Sequence, residues 1–277
     1  MGVAPELGGR ERNEDNYLIC QGSEIRYLYE DEVKVEEREG DGMLLVICDG
    51  MGGHDDGHIA SRTAARVMAK LHQKGTPRNP ARELLKFIQN AHNQIYWRMR
   101  DQGPVTMGTT LTACWILDRR VFWSQVGDSH LYLWRNGDLR RLTPTHTRNE
   151  FAMRDGLPTS PDGNHLCQNF IYGSRGVADN TALRLEPGLD NGVERLDTGD
   201  RLLLATDGLW GTLSESFMAQ ILKDFPYPQQ AAEALMERAI QAGSDDNITA
   251  VITVVGDEEE NADAGDWDDD DQETVLY

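Results

Sequence analysis

No stretch of this chain approaches the ~20 consecutive apolar residues needed to cross a bilayer. The opening residues, MGVAPELGGRERNED, lack the apolar core of a secretory leader. Neither membrane insertion nor export is expected, which leaves the cytoplasm as the predicted location. The N-myristoylation pattern that Gly2 begins is incomplete, because Glu6 stands where Ser or Thr is required. Cysteine is scarce: Cys20, Cys48, Cys114 and Cys167 are the whole set, and none are paired at metal-ligand spacing. Buried reduced thiols are expected, not a zinc site. Basic residues are outnumbered, 27 Lys and Arg against 47 Asp and Glu, for a net charge of −20. Residues 257–277 hold eleven acids and no Lys or Arg, so this tail carries −11 and the remainder −9. Both portions repel polyanions, so nucleic acid is not an expected partner.

What is present is enough for a sizeable core: 277 residues, 39% of them hydrophobic. Apolar runs at 15–20, 43–48, 109–117, 121–126, 130–134, 201–206 and 248–255 read as strands. The charged stretch 28–42 reads as a hairpin tip or solvated loop. Ile59, Thr63, Val67 and Leu71 fall four apart and predict a helical face, which GTPRNP at 75–80 ends. A second helix is predicted near 81–101, with Leu84, Ile88, Ala91, Ile95 and Met99 as its buried stripe. Two more are predicted near 214–223 and 228–242, the last burying Ala231, Leu235 and Ala239. Turns at Asp118-Arg119-Arg120 and Asn136-Gly137 suggest antiparallel hairpins. Helices in two pairs around hairpin-linked strands predict an α+β fold: an antiparallel β-sandwich flanked by two pairs of antiparallel helices. The expected division is one domain over 1–256, with a flap about 143–180 rich in Gly, Pro, Asn and Asp, and a disordered acidic tail over 257–277.

Four aspartates stand in four distinctive settings: Asp15 in RERNED, Asp49 in VICDGMGGH, Asp207 in LLLATDGLWG and Asp246 in SDDNIT. Three of them border an apolar run. Carboxylates at strand ends can converge on hard divalent cations, which take oxygen ligands. Two such cations about 3.5–4 Å apart would clamp the attacking and leaving oxygens of a phosphoryl displacement.

The motifs Arg10…Asn13-Glu14-Asp15, Asp49-Gly50-Met51-Gly52-Gly53, Gly108-Thr109-Thr110, Val126-Gly127-Asp128-Ser129, Thr206-Asp207-Gly208-Leu209 and Asp246-Asn247-Ile248-Thr249 follow one another as in the metal-dependent protein phosphatases. The chain resembles this PPM family, the type 2C serine/threonine phosphatases, from about residue 8 to 255, and Met51 resembles its bacterial branch. The resemblance implies an enzyme that hydrolyses phosphoserine and phosphothreonine in proteins by attack of a hydroxide bridging two Mn²⁺ or Mg²⁺ ions. It implies that Asp49 bridges the metals, that the Gly50 carbonyl binds one, and that Asp207 and Asp246 bind the other. It implies further that Asp15 holds metal-bound water, that Glu14 stands in the outer shell, and that Asp128 serves a third, weaker metal. Arg10 is similar to the arginine that grips the substrate phosphate, a task for which its planar fork suits better than lysine. The catalytic set expected on this basis is Arg10, Asp15 and Asp49. Phosphorylated proteins and a serine/threonine kinase pathway are the implied partners, and a monomer is expected.

Several positions depart from the pattern. His58 stands where relatives often have Glu; it and His54 read as surface residues or as neighbours of the ligands. His130 stands where relatives usually have Arg, and a strand-surface role is expected of it. Thr145 replaces an Asp in the segment Thr143–Thr147. His146 is a candidate general acid, since imidazole suits proton donation near neutral pH. Trp210 reads as an anchoring aromatic. The flap matches only at scattered points such as Asn169 and Gly176. Two other readings stand beside the enzyme: a non-catalytic binding or regulatory module on the same fold, and a phosphatase dedicated to one signalling protein. The tail, with Trp267, is either solvated or a partner-binding segment.

Overall fold

The computed structural model describes residues 1–29, 32–38, 40–52, 56–102, 107–163, 183, 185, 188 and 190–256. The acidic tail, His54, Cys167, Asn169 and Gly176 therefore lie outside the described residues. Two antiparallel sheets stack face to face. One is ordered β1 (Gly2–Glu6), β14 (Ile248–Val254), β13 (Arg201–Ala205), β10 (His130–Arg135), β11 (Asp138–Arg141). The other is ordered β12 (Asn191–Arg195), β9 (Arg120–Val126), β8 (Leu111–Leu117), β5 (Met43–Cys48), β2 (Asn16–Gln21), β3 (Glu24–Tyr29), β4 (Glu32–Glu37). A small ladder of β6 (Gly50–Gly52) and β7 (Met107–Thr109) continues the central strands β5 and β8 of the larger sheet toward the first helix pair.

The central strands are continuously apolar because both their faces are covered. In β5, Leu44, Val46 and Cys48 face α1 (Gly57–His72) and α2 (Pro80–Gln102), while Leu45 and Ile47 face the opposite sheet. In β13, Leu203 and Ala205 face α5 (Glu215–Asp224) and α6 (Pro228–Gln241), while Leu202 and Leu204 point inward. The expected sandwich between two helix pairs is the architecture found. Truncating an interior leucine such as Leu45 to Ala would cost about 2–5 kcal/mol in lost burial and residual cavity. Among the described residues, no helix is long and apolar enough to cross a membrane.

Four details differ from the sequence reading. The stretch 28–42 is mostly strand, because Val33 and Val35 alternate with charged residues on an edge strand paired only to β3. Strands β1 and β12 were not expected; both are short and carry few apolar residues. The buried stripe of α1 is rotated by about one residue, with Ala60, Ala64 and Met68 joining Val67 and Leu71 inside while Ile59 and Thr63 are half-buried. Small alanines there let the helix approach the sheet closely. Finally, the expected flap contains a helix, α3 (Arg148–Arg154), capped by the Thr147 hydroxyl accepting from the Glu150 N–H. Thr-x-x-Glu is the sequence signature of such a cap. Its sparse apolar content concealed it.

Candidate metal centre

Antiparallel pairing gathers the aspartates at one end of the sandwich. Asn16 pairs with Cys48, so Asp15, just before β2, and Asp49, just after β5, sit side by side. Ala205 pairs with both Ala250 and His130, which brings Asp207, Asp246 and Asp128 to the same end of the other sheet. The turn Gly127-Asp128-Ser129 is where the chain passes from one sheet to the other.

Each carboxylate has its own scaffold. Asp15 is 2% exposed, and its Oδ2 accepts from the Thr206 hydroxyl at 2.9 Å and the Thr249 hydroxyl at 2.7 Å. The Thr206 hydroxyl also accepts from the Thr249 N–H at 3.0 Å, so two neighbouring strand ends act as one clasp. The Asp49 backbone is held on both sides: its N–H donates to Thr110 Oγ1 at 2.9 Å, and its carbonyl accepts from the Thr110 N–H at 2.8 Å and the Thr109 hydroxyl at 2.9 Å. Thr110 Oγ1 in turn lies 2.6 Å from Ser129 Oγ, linking this support to the turn that carries Asp128. Asp207 opens the short helix α4 (Asp207–Trp210), where its charge faces that of Asp49.

Arg10 and Glu14 reach the site through a loop that Asn247 pins. The Asn247 amide donates to the carbonyls of Leu7 at 3.0 Å and Arg12 at 3.1 Å, and its Oδ1 accepts from the Glu14 N–H at 2.9 Å. Gly8 adopts a positive φ of +57° and passes so close to the Asp246 carbonyl that a side chain would collide with it. Arg10 thereby donates from Nη2 to Asp246 Oδ2 at 2.9 Å, with its own side chain 57% exposed. The Glu14 carbonyl accepts from the Gly50 N–H at 3.2 Å, and Gly57 lets the start of α1 close on the Glu14 carboxylate.

Crowding of like charges in a poorly solvated place sets the electrostatics. Burial pushes the Asp15 carboxyl up to about 7 against the two threonine hydroxyls, with Asp207 and Asp246 adding to the rise. Asp128 is likewise raised to about 7, by burial and then by Asp207. Burial and the charges of Asp15, Asp207, Asp128 and Asp246 raise Asp49 well above the ordinary range. Asp207 is raised by burial and Asp246. Arg10 is raised by Asp246. Two buried carboxylate oxygens, Asp15 Oδ1 and Asp207 Oδ1, have no hydrogen-bond partner. Unpaired buried anionic oxygens are costly unless a cation meets them. The donor set thus fits a hard divalent ion. Among the described residues, no three ligating side chains close on a single point as they stand. Thr206 and Thr249 hold Asp15, and Arg10 holds Asp246.

Three histidine expectations resolve differently. His130 is fully buried, not on the strand surface, because its face of β10 packs under Trp210, whose ring lies 4.8 Å away. Trp210 is thus the anchor expected. His146 is fully buried with both ring nitrogens engaged: Nδ1 accepts from the Gly127 N–H at 3.1 Å and Nε2 lies 2.9 Å from Asp190 Oδ1. It cannot reach a leaving group, so the general-acid expectation fails. His58 is half-buried and lines a cleft of about 150 Å³ with Arg12, Asp15, Asn16 and Arg62. The clasping residues Thr206, Thr249, Thr110, Ser129 and Asn247 carried no role in the sequence reading. Part of their signal was in the sequence, since each is a polar residue of a quoted motif at the edge of an apolar run; their burial is set by the fold.

Comparison with known proteins agrees with this geometry. A family model described as protein phosphatase 2C matches residues 28–242. The serine/threonine phosphatase stp of Listeria welshimeri is 32% identical over 234 residues, spanning 82% of this chain and 90% of that protein. The protein phosphatase PhpP of Streptococcus pneumoniae is 31% identical over 221 residues, spanning 78% of this chain and 87% of that protein. The crystal structure of the catalytic domain of serine threonine protein phosphatase PstP, in complex with two manganese ions, superposes with a TM-score of 0.71 at 27% identity, over 92% of this chain and 97% of that one. Cys20, Cys48 and Cys114 are free and buried, as expected of reduced core thiols. On its sequence match and its sandwich, the chain belongs to the protein phosphatase 2C family.

Proposed function

We propose that this chain is a metal-dependent phosphatase of phosphoserine and phosphothreonine in proteins, with residues 1–256 as its catalytic domain and about 143–180 as its flap. Asp49 and the Gly50 carbonyl, with Asp207 and Asp246, are assigned to a two-ion Mn²⁺ or Mg²⁺ centre. Asp128 is assigned to a third, weaker site, and Glu14 to supporting contacts. When bound, the ions offset the gathered negative charge and acidify water near neutral pH. Arg10 is placed to receive phosphate oxygens on the guanidinium edge not turned to Asp246. Asp15, ionising near pH 7, can accept a water proton at Oδ1 while its Oδ2 is held by Thr206 and Thr249. The observation that carries the reading is the gathering of five aspartates at one end of the sandwich, with two unpartnered buried oxygens beside an exposed arginine. Phosphorylated proteins of a serine/threonine kinase pathway are the proposed partners, met in the cytoplasm by a monomer.

The test is hydrolysis of p-nitrophenyl phosphate and a phosphothreonine peptide, with and without Mn²⁺, by the wild type and Asp207→Ala. The expected result is Mn²⁺-dependent turnover that the variant loses while its circular dichroism stays native. Folded wild-type protein that binds Mn²⁺ but turns over neither substrate would sink the enzymatic reading and favour a binding module on this fold.

A further inference from the structure

Helix α3 is seated on the sandwich by charge more than by apolar packing. None of its seven residues is fully buried. Yet the side chain of Arg154 is only 6% exposed, and that of Asp190, its partner, is 0% exposed. Arg154 donates from Nη1 to Asp190 Oδ2 at 3.0 Å and from Nη2 to Oδ1 at 2.8 Å, a two-point fork. Its Nε reaches Glu150 Oε1 at 3.3 Å, one helical turn earlier. Asp190 Oδ1 also meets His146 Nε2 at 2.9 Å. Because His146 Nδ1 accepts from the Gly127 N–H, its proton sits on Nε2 and is donated to Asp190. The His146 N–H completes a ring by donating to the Gly127 carbonyl at 2.9 Å, and Phe151 of α3 covers the imidazole at 5.4 Å.

The network therefore ends on Gly127, the residue before Asp128. That turn has little room to adjust by itself: Gly127 holds a φ of +107°, and a side chain there would strike Thr110. A buried, fully bonded ion pair is costly to break, since either partner left alone keeps its charge out of water. Such a pair transmits position, because it holds two elements in one relative geometry.

We propose that Arg154, Asp190 and His146 are positioning residues that dock α3 and hold the Gly127–Asp128 turn as one unit, so that the seating of α3 sets the affinity of the Asp128 metal position. The metal part rests on the assignment of Asp128 made above; the coupling of helix to turn does not. None of the three residues touches substrate in this scheme.

The experiment compares full-length wild type with Arg154→Met, Arg154→Lys and Asp128→Asn. Backbone hydrogen exchange is read at 148–157 and 127–130, and Mn²⁺ binding is read by calorimetric titration. Arg154→Met is expected to speed exchange in both segments and to weaken the weakest Mn²⁺ site about ten-fold or more, the usual effect of removing an outer partner of a ligand. The tighter sites and the KM for a phosphothreonine peptide should stay put. Arg154→Lys, which keeps the charge and loses the fork, should fall between and remains informative if the methionine variant does not fold. Faster exchange confined to 148–157 overturns the coupling. Coupled exchange with an unchanged Mn²⁺ isotherm overturns the metal part. Asp128→Asn separates the causes: if it too leaves the isotherm unchanged, the assignment of Asp128 has failed, and the helix-to-turn coupling stands on the exchange data alone.

Discussion

His130 Nε2 and Thr145 Oγ1 lie 3.2 Å apart, so two positions at which this chain departs from its family's pattern touch one another. The same Nε2 meets Arg141 Nη1 at 3.2 Å, and Nδ1 lies 3.3 Å from the Thr143 hydroxyl. An arginine donates only, so the proton of the neutral ring belongs on Nδ1. Burial, with Arg141 and His146, pushes His130 down to about 3, so it is neutral throughout the working range. Where the pattern has Arg and Asp, this protein has an uncharged hydrogen bond, with Arg141 supplying the positive charge from the adjacent strand.

That contact predicts strong non-additivity. His130→Arg alone buries a second cation beside Arg141 and should lower stability by about 3–5 kcal/mol. Thr145→Asp alone is half-exposed and close to Arg141, so its effect should be under about 1 kcal/mol. The double variant restores an ion pair and should recover at least about 1 kcal/mol of the first loss. Urea denaturation of the four proteins checks this; additive changes would mean that the two side chains do not communicate.

Asn247 is expected to matter as much as any aspartate for assembling the site. Asn247→Ala removes the two donations and one acceptance that pin the loop of Arg10 and Glu14, and leaves the Leu7 carbonyl with the Arg10 N–H alone. A loss of about 3 kcal/mol is expected, from roughly 1 kcal/mol per hydrogen bond. Since Arg10 then loses its fixed position, KM for a phosphopeptide should rise more than kcat falls. Steady-state kinetics beside thermal denaturation measures both; a variant with lowered stability and unaltered KM would show that the loop holds its place without this amide.

How much of this was legible beforehand depended on what set each feature. Continuous apolar runs revealed the central strands, because both faces of each sheet are covered, and helical spacing revealed the long helices. The aspartates were legible because three of the four border such a run and each stands in a distinctive motif. Antiparallel pairing then brought them together, which no local pattern states. His146 and His130 were misjudged because exposure is a tertiary property: a histidine near a metal motif looks the same whether it faces solvent or packs beneath Phe151 or Trp210. Asp190 and Arg154 were not legible as a pair, since 36 residues separate them and only the fold makes them meet.

The raised carboxyls predict a pH-dependent grip on metal. Asp15 and Asp128 ionise near 7 in the fold against about 3.9 in an unfolded chain. A group raised in this way favours the metal-free fold only while protonated, so its contribution is complete below pH 4 and is lost as pH rises through 7. A cation that holds both carboxylates ionised restores what is lost. The stabilisation gained on adding Mn²⁺ should therefore be greater at pH 8 than at pH 6, by about 1.4 kcal/mol per carboxyl over that interval. Taking the difference with and without Mn²⁺ cancels His92 and His130, which burial keeps neutral and which act in the opposite sense below about 6.5. Thermal denaturation at the two pH values tests the sign; an equal Mn²⁺ effect at both would detach these carboxyls from the metal.

Arg10 and Asp246 set up the last prediction, because their ion pair opposes two functions. While Arg10 Nη2 holds Asp246 Oδ2, that oxygen is shared between guanidinium and any metal. Arg10→Ala should therefore tighten Mn²⁺ binding modestly, by about two- to five-fold, since one competing exposed ion pair contributes no more than about 1 kcal/mol. The same change removes the phosphate fork and should lower kcat/KM by about 100-fold, in the range of losing a charge-assisted two-point contact. Arg10→Lys should leave Mn²⁺ affinity near wild type and lower kcat/KM by an intermediate amount, since an ammonium keeps the charge without the planar fork. Metal affinity and catalytic efficiency moving in opposite directions is the distinguishing signature. If both fall together in Arg10→Ala, the arginine is holding the metal loop in place and is not a substrate ligand.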